Sequence, residues 1–217
     1  VGTTSLQAYF TECGSGVAGV VTCNGSSYTN GINYFATATS PASPIIFDLN
    51  NSSMVVSKRG IQVGNQRFTT HDVTILADDF TAINTIASGL EGRGLMASTK
   101  EDATVHVKGG SISTTGGLSS GTGPIGVLAE VIGASSPGKG AAVITLQDTT
   151  VTTRGDSSTG VFAYNGLFGS SLAKASIDIN NSIVRTTGVG AAGLSTTLLT
   201  AGNTSDSSIA VHGTSIV

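Results

Sequence analysis

The 217-residue chain has few charged residues, no tryptophan and no long apolar run. Charged residues make up only 11% of it, and the formal net charge is −3. So weak a field is a poor match for nucleic acid or for an anionic membrane surface. A membrane-spanning helix needs ~20 consecutive apolar residues, which the sequence never reaches. We therefore expect no nucleic-acid partner and no membrane insertion by this chain.

Helical and metal-binding patterns are missing as well. No segment shows the i, i+3, i+4 apolar spacing of a long amphipathic helix. The two cysteines, Cys13 and Cys23, are not spaced as CxxC and have no cluster of further ligands beside them. The sequence predicts no metal site, no cofactor and no catalytic residues.

What the sequence does contain is an internal repeat. The stretches starting at Val105, Ile144, Ile177 and Ile209 begin with an apolar-polar-apolar triplet, followed by a polar turn and a second segment rich in Ile, Val and Thr. Weaker copies begin near residues 46 and 73. A period of about 30 to 40 residues is typical of arrays whose units bury their apolar faces only by stacking.

Each repeat reads as about three short strands. Period-two alternation marks the first two, and segments such as Gly126-Val-Leu-Ala129 and Gly160-Val-Phe-Ala163 mark a third. The connections are turns, too short for helical crossovers between parallel strands. The sequence therefore predicts an all-β, parallel β-helix, with a β-sandwich as the alternative.

Alternation also predicts which side chains face the core. His106, in the middle of its triplet, should point outward. Eleven apolar residues should point inward and stack between rungs: Val105, Val107, Ile112, Ile144, Leu146, Val151, Ile177, Ile179, Ile183, Ile209 and Val211.

The repeat style carries a family resemblance. Thr-Thr-(Arg/Gly)-Gly is followed by Ser-x-Gly-Val and a new apolar triplet, with Arg154-Gly155-Asp156 at a strand-to-loop junction and a cysteine pair near the start. Over residues 45 to 217 this resembles the passenger domains of pertactin-type autotransporters. The resemblance implies a right-handed β-helix, exported through the Gram-negative outer membrane by a translocating β-barrel of the same precursor that lies outside this sequence.

The resemblance also implies a location and partners. Such passengers are secreted or stay on the bacterial surface, and bind a host-cell receptor or glycan as adhesins or as released ligands, including growth-factor-like ones. The alternative is a β-helix enzyme acting on polysaccharide, for which Asp78 and Asp79 are the nearest paired carboxylates. Turn chemistry explains both aspartates without catalysis.

Two parts of the chain are expected. Residues 1–45 form an N-terminal cap, and residues 46–217 form the repeats, which stop inside a copy as in a truncated fragment. A disulfide between Cys13 and Cys23 would staple the cap and stabilise it by roughly 2 to 3 kcal/mol. A reduced pair is the other interpretation.

Arg154, Gly155 and Asp156 are the candidate receptor-binding residues. The Asp156 carboxylate could complete the coordination of a metal held by an integrin-type receptor. Alternatively, Gly155 is simply the turn glycine that recurs at Gly116 and Gly188. The loops 117–125, 133–140 and 165–173 vary in length and are further candidates for binding anchors.

Overall fold

The computed structural model describes residues 7–8, 20–23, 31–35, 45–50, 53–56, 60–64, 69, 71–78, 80, 82–87, 92–118, 121–133, 140–166, 173–199 and 206–217. These residues form strands, turns and loops, and no helix. In chain order the strands are β1 (Gln7–Ala8), β2 (Val20–Cys23), β3 (Ile32–Phe35), β4 (Ile45–Asn50), β5 (Ser53–Val56), β6 (Ile61–Val63), β7 (Val73–Asp78), β8 (Ala82–Ile86), β9 (Arg93–Thr99), β10 (Ala103–Lys108), β11 (Ser111–Thr115), β12 (Ile125–Ile132), β13 (Ala141–Gln147), β14 (Thr150–Arg154), β15 (Thr159–Gly166), β16 (Lys174–Asn180), β17 (Ile183–Thr187), β18 (Ala192–Leu198) and β19 (Asp206–His212).

The strands form three sheets that run the length of a β-solenoid. Sheet 1 has the order β2-β4-β7-β10-β13-β16-β19, sheet 2 the order β5-β8-β11-β14-β17, and sheet 3 the order β1-β3-β6-β9-β12-β15-β18. Each rung gives one strand to each sheet, from β4-β5-β6 to β16-β17-β18. Apart from the antiparallel pair β1–β3, the described neighbours are parallel. The predicted parallel β-helix is confirmed.

Stacked apolar side chains fill the interior in register. Val105 pairs with Ile144, and Ile144 pairs with Ile177. Both neighbours of His106 are fully buried, whereas His106 itself is half-exposed. The predicted inward positions are confirmed for eight residues, each at most 1% exposed: Val105, Val107, Ile112, Ile144, Leu146, Val151, Ile177 and Ile179.

The prediction was wrong for Ile183. Ile183 pairs with Thr150, an outward position, and the inward residue of β17 is Val184, which is 1% exposed and pairs with Val151. The mistake is a one-residue slip, which exchanges the two faces of a strand. Ile209 and Val211 do pair in register with Ile177 and Ile179, but in this last rung they are 45% and 47% exposed.

Sheet 2 has a polar component inside the core. Thr85, Thr114 and Thr153 stack at one inward position of successive rungs and are at most 1% exposed. Thr153 bonds Ser158, with 3.3 Å between their hydroxyl oxygens. Among the described residues, the Thr85 and Thr114 hydroxyls have no hydrogen-bond partner. The core under sheet 2 therefore contains buried hydroxyls that lack hydrogen bonds, whereas the core under sheet 1 is apolar.

Side chains at the corners tie one rung to the next. Between sheets 1 and 2, the Thr149 amide donates to the Ser182 hydroxyl over 3.0 Å, and the Ser182 amide donates to the Ser215 hydroxyl over 3.1 Å. Before sheet 1, one oxygen of Asp102 accepts from the amides of Gly140 and Ala141, at 2.8 and 2.9 Å. Such bonds satisfy the backbone where the strand ladders stop.

Three strands, β1, β2 and β3, precede the first complete rung. β2 and β3 lie within the stretch that the sequence assigns to the cap, and they pair in parallel with β4 and β6. Cys23 ends β2 and is fully buried. Cys13 lies outside the described residues, so the disulfide between them stays a prediction.

Candidate functional site

The Arg154-Gly155-Asp156 tripeptide forms the corner between sheets 2 and 3. Arg154 ends β14, and the Ser158 amide donates to the Gly155 carbonyl over 3.2 Å, which closes a four-residue turn before β15. Gly155 has φ of 138°, a conformation that residues with a Cβ rarely adopt. A Cβ there would also collide with the carbonyl oxygen of Gly116 in the preceding rung.

The same turn recurs in the next rung. Gly188 has φ of 140°, and the Gly155 amide donates to the Thr187 carbonyl over 2.8 Å. A Cβ on Gly188 would collide with the Gly155 carbonyl oxygen. Gly116, Gly155 and Gly188 therefore form a glycine stack, and the stacking alone explains why position 155 is glycine.

Asp156 has a structural task in this corner. Its Oδ1 accepts a hydrogen bond from the Val189 amide over 2.9 Å, and the Ser157 amide donates to the Val189 carbonyl over 2.8 Å. The side chain is exposed, but one carboxylate oxygen already joins two rungs. Arg154 and Asp156 are not ion-paired with each other. The tripeptide thus lies on the surface, and one oxygen of its Asp156 carboxylate is already hydrogen-bonded.

Arg154 has a second arginine as its neighbour on the outer face of sheet 2. Thr152 pairs with Arg185, and Arg154 pairs with Thr187, so the two arginines lie diagonally on adjacent strands. Both are exposed. The sequence reasoning missed Arg185. The repeat alignment contained the signal, since Arg185 precedes the Thr-Thr-Gly of its copy just as Thr152 precedes Thr153-Arg154-Gly155.

The outer faces of β11 and β14 carry hydroxyl groups, whereas β8 presents Ala82, Asn84 and Ile86 and β17 presents Ile183. The outward residues of β11 are Ser111, Ser113 and Thr115, and those of β14 before Arg154 are Thr150 and Thr152. Parallel pairing aligns these residues rung by rung. Because the sheet fixes the spacing of the Cα atoms, the hydroxyl residues and the two arginines form a regular array of positions. We call this array, with Thr187, the hydroxyl–arginine face.

The outer face of sheet 3 differs, because it is largely apolar and covered. Met96 and Leu128 occupy neighbouring outward positions and are 3% and 2% exposed. Phe162 and Tyr164 pack beside them, half-exposed, with ring centroids 5.8 Å apart in an edge-to-face arrangement. The Ser98 hydroxyl donates to Glu130 over 2.9 Å at the border of this cluster.

The described histidines do not share a site. His106 lies between Leu76 and Thr145 on sheet 1, and His71 precedes β7. The Nε2 of His212 is 3.6 Å from Oδ1 of Asp178, and both side chains are more than half exposed. No group of three or more His, Cys, Asp or Glu capable of holding a metal ion occurs among the described residues.

Two sequence features relevant to catalysis can be placed only in part. Asp78 ends β7 and is exposed, next to Lys108 in register, whereas Asp79 lies outside the described residues. Gly117-Leu-Ser-Ser-Gly121 spells Gly-x-Ser-x-Gly, but it connects two strands, β11 and β12, rather than a strand and a helix as in a nucleophile elbow. Ser119 also lies outside the described residues.

The predicted loop anchors can also be placed only in part. Residues 119–120, 134–139 and 167–172 lie outside the described part of the chain. Within that part, no helix is long and apolar enough to cross a membrane.

Comparisons with protein-family models, with curated proteins and with solved structures each gave no match.

Proposed function

We propose that this chain is an exported passenger domain of the pertactin type that binds host-cell surface molecules. Its role is that of an adhesin or of a released receptor ligand, and its place is the bacterial surface or the extracellular medium. The supporting observation is the hydroxyl–arginine face, a regular outer surface that carries exposed Arg154 and Arg185. The sequence resemblance supplies the cellular setting, including translocation by a β-barrel of the same precursor.

A regular face of this kind suits binding by extended complementarity. Arginine at the centre of a contact surface is among the residues that contribute most to binding. The parallel ladders hold the backbone of the face in place before binding, so little backbone entropy is lost on association. Binding therefore requires no groove and no movement of the solenoid.

Saturable binding of the labelled chain to host cells, competed by unlabelled chain, tests this proposal. Thr152→Glu places a carboxylate in the middle of the hydroxyl–arginine face, directly beside Arg185. Thr145→Glu places the same group at a comparable half-exposed position on sheet 1. We expect Thr152→Glu to weaken binding at least about tenfold, the loss of one charge-assisted contact, and Thr145→Glu to leave it unchanged.

Two results would overturn the proposal. One is equal binding by both variants and the unchanged chain, which would show that the hydroxyl–arginine face is not the binding surface. The other is turnover of a polysaccharide without any cell binding, which would replace the binding role by the enzymatic alternative.

A further inference from the structure

We propose that the hydroxyl–arginine face binds the carboxylate groups of a linear uronic-acid glycan, with Arg154 and Arg185 as its two cationic contacts. This inference names a ligand class for the surface in the proposed function and rests on that proposal. In this proposal Arg154 binds the ligand together with Arg185, and not together with Asp156 of the tripeptide.

The strands of sheet 2 contain no acidic residue. Their sequences are SMVV, AINTI, SISTT, TVTTR and IVRTT, so Arg154 and Arg185 are their only charged residues. The other two sheets carry both signs, with Asp78, Lys108 and Asp178 on sheet 1 and Arg93 and Glu130 on sheet 3. Sheet 2 is therefore the face whose charge is complementary to an anion.

The two guanidiniums are available to a ligand. Both arginines are exposed. Within the described part of the chain, neither arginine side chain forms an ion pair or a hydrogen bond. Neighbouring strands lie ~4.8 Å apart and alternate residues ~6.7 Å apart, so their Cα atoms are about 8 Å apart on the diagonal. Two long side chains at that distance can reach one carboxylate from two sides, or two successive acidic groups.

The acids nearest in sequence lie at the ends of β14, outside the hydroxyl–arginine face. Asp156 turns one oxygen to the Val189 amide in the corner beyond β14. Asp148 lies in the turn at the opposite end of β14, with φ of 51°. Both aspartates belong to turns at the margins, whereas Arg185 is in the middle of β17.

The hydroxyl groups indicate a sugar rather than another anion. Ser113, Thr115, Thr152 and Thr187 surround the arginines, and within the described residues their side chains have no hydrogen-bond partner. A hydroxyl is both donor and acceptor, as the hydroxyls of a sugar are. Nucleic acid and densely sulfated chains would require many cations, and this face has two. A glycan that alternates carboxylated with neutral sugars matches two arginines among hydroxyls.

The carboxylate preference follows from guanidinium geometry. The planar fork of arginine forms two parallel hydrogen bonds with a planar carboxylate. Lysine offers a point charge instead, so Arg→Lys is not conservative at such a contact. Arg185→Lys should therefore bind more weakly than the unchanged chain although the charge is kept.

The test uses the 217-residue chain and a hyaluronan oligosaccharide as the probe, with calorimetry as the measurement. We expect Arg154→Gln and Arg185→Gln each to weaken binding by about tenfold to a hundredfold, the loss of one charge-assisted contact. Lys108→Gln removes an exposed cation from sheet 1 and should bind as the unchanged chain does. Carboxyl-reduced hyaluronan should not bind. Circular dichroism checks that the variants are folded.

The outcomes separate this inference from the proposed function. Saturable cell binding without hyaluronan binding would overturn the inference and leave the proposed function intact. Binding of a heparin fragment alone, with none of hyaluronan, would overturn the assignment of a carboxylated ligand. An equal loss in Lys108→Gln would overturn the assignment of the face. Hyaluronan binding without cell binding would overturn the proposed function itself.

Discussion

In both sheet 1 and sheet 2, inward and outward residues alternate along each strand, but the residue types at these positions differ. Inward from sheet 1, the described residues are apolar, as in the stack Val105-Ile144-Ile177, and its outer face mixes acids with bases. Inward from sheet 2, apolar residues share the space with Thr85, Thr114 and Thr153. Outward, sheet 2 has hydroxyls and two arginines, beside the apolar Ile86 and Ile183. Sheet 1 is thus built for stability, whereas sheet 2 combines a weaker core with the surface that we assign to binding.

The largest effect should come from the interior of sheet 1. Ile179→Asp buries a carboxylate without a partner at a position that is 0% exposed, and should destabilise the chain by about 4 kcal/mol or more. Asp178→Val, its neighbour, loses only the exposed contact with His212 and should change stability by less than about 1 kcal/mol. Urea unfolding of the two variants measures both. Equal losses would mean that the inward and outward assignments are wrong.

Substitutions at the corners between sheets should have the next largest effect on stability. Asp102→Ala removes the acceptor for two backbone amides before sheet 1 and should cost about 2 kcal/mol. Asp156→Ala removes the acceptor for one exposed amide after sheet 2 and should cost about 0.5 to 1 kcal/mol. Asp102→Asn keeps an oxygen acceptor and is the matched control. A larger loss of stability for Asp156→Ala than for Asp102→Ala would mean that the corner after sheet 2 stabilises the chain more than the corner before sheet 1.

The threonine stack under sheet 2 should give small changes in stability, with opposite signs at two positions. Thr114→Val removes a buried hydroxyl without a partner while keeping the shape, and should stabilise the chain by about 1 kcal/mol. Thr153→Val breaks the bond with the fully buried Ser158 and should destabilise by about 1 kcal/mol. Thermal unfolding midpoints compare them. Destabilisation by Thr114→Val would show that its hydroxyl is satisfied.

Local alternation was enough to predict the fold. The three-strand repeat and the inward stack at Val105, Ile144 and Ile177 follow from period-two patterning, because one buried face fixes the register. The rule failed at Ile183 because Ile183-Val184 offers two adjacent β-branched residues. Pairing with Val151 decides which one is buried, and that is information from the neighbouring rung.

The candidate site was less predictable than the fold. The sequence shows Arg154-Gly155-Asp156 as a contiguous motif, but it does not show that the Asp156 carboxylate bonds an amide 33 residues further along the chain. Nor does contiguity suggest Arg185, which is near Arg154 only because adjacent rungs pair. In a solenoid, a surface site consists of residues one period apart. The repeat alignment is therefore a better guide to the site than the linear motif.

Cell binding of two single variants, Arg185→Gln and Asp156→Asn, distinguishes the hydroxyl–arginine face from the tripeptide as the recognition site. Asp156→Asn keeps the oxygen that accepts from Val189 but removes the charge that a receptor-held metal would require. If the hydroxyl–arginine face binds the host cell, Arg185→Gln loses affinity about tenfold or more and Asp156→Asn retains it. Loss of binding by Asp156→Asn with full binding by Arg185→Gln would overturn the assignment of the hydroxyl–arginine face and assign recognition to the tripeptide.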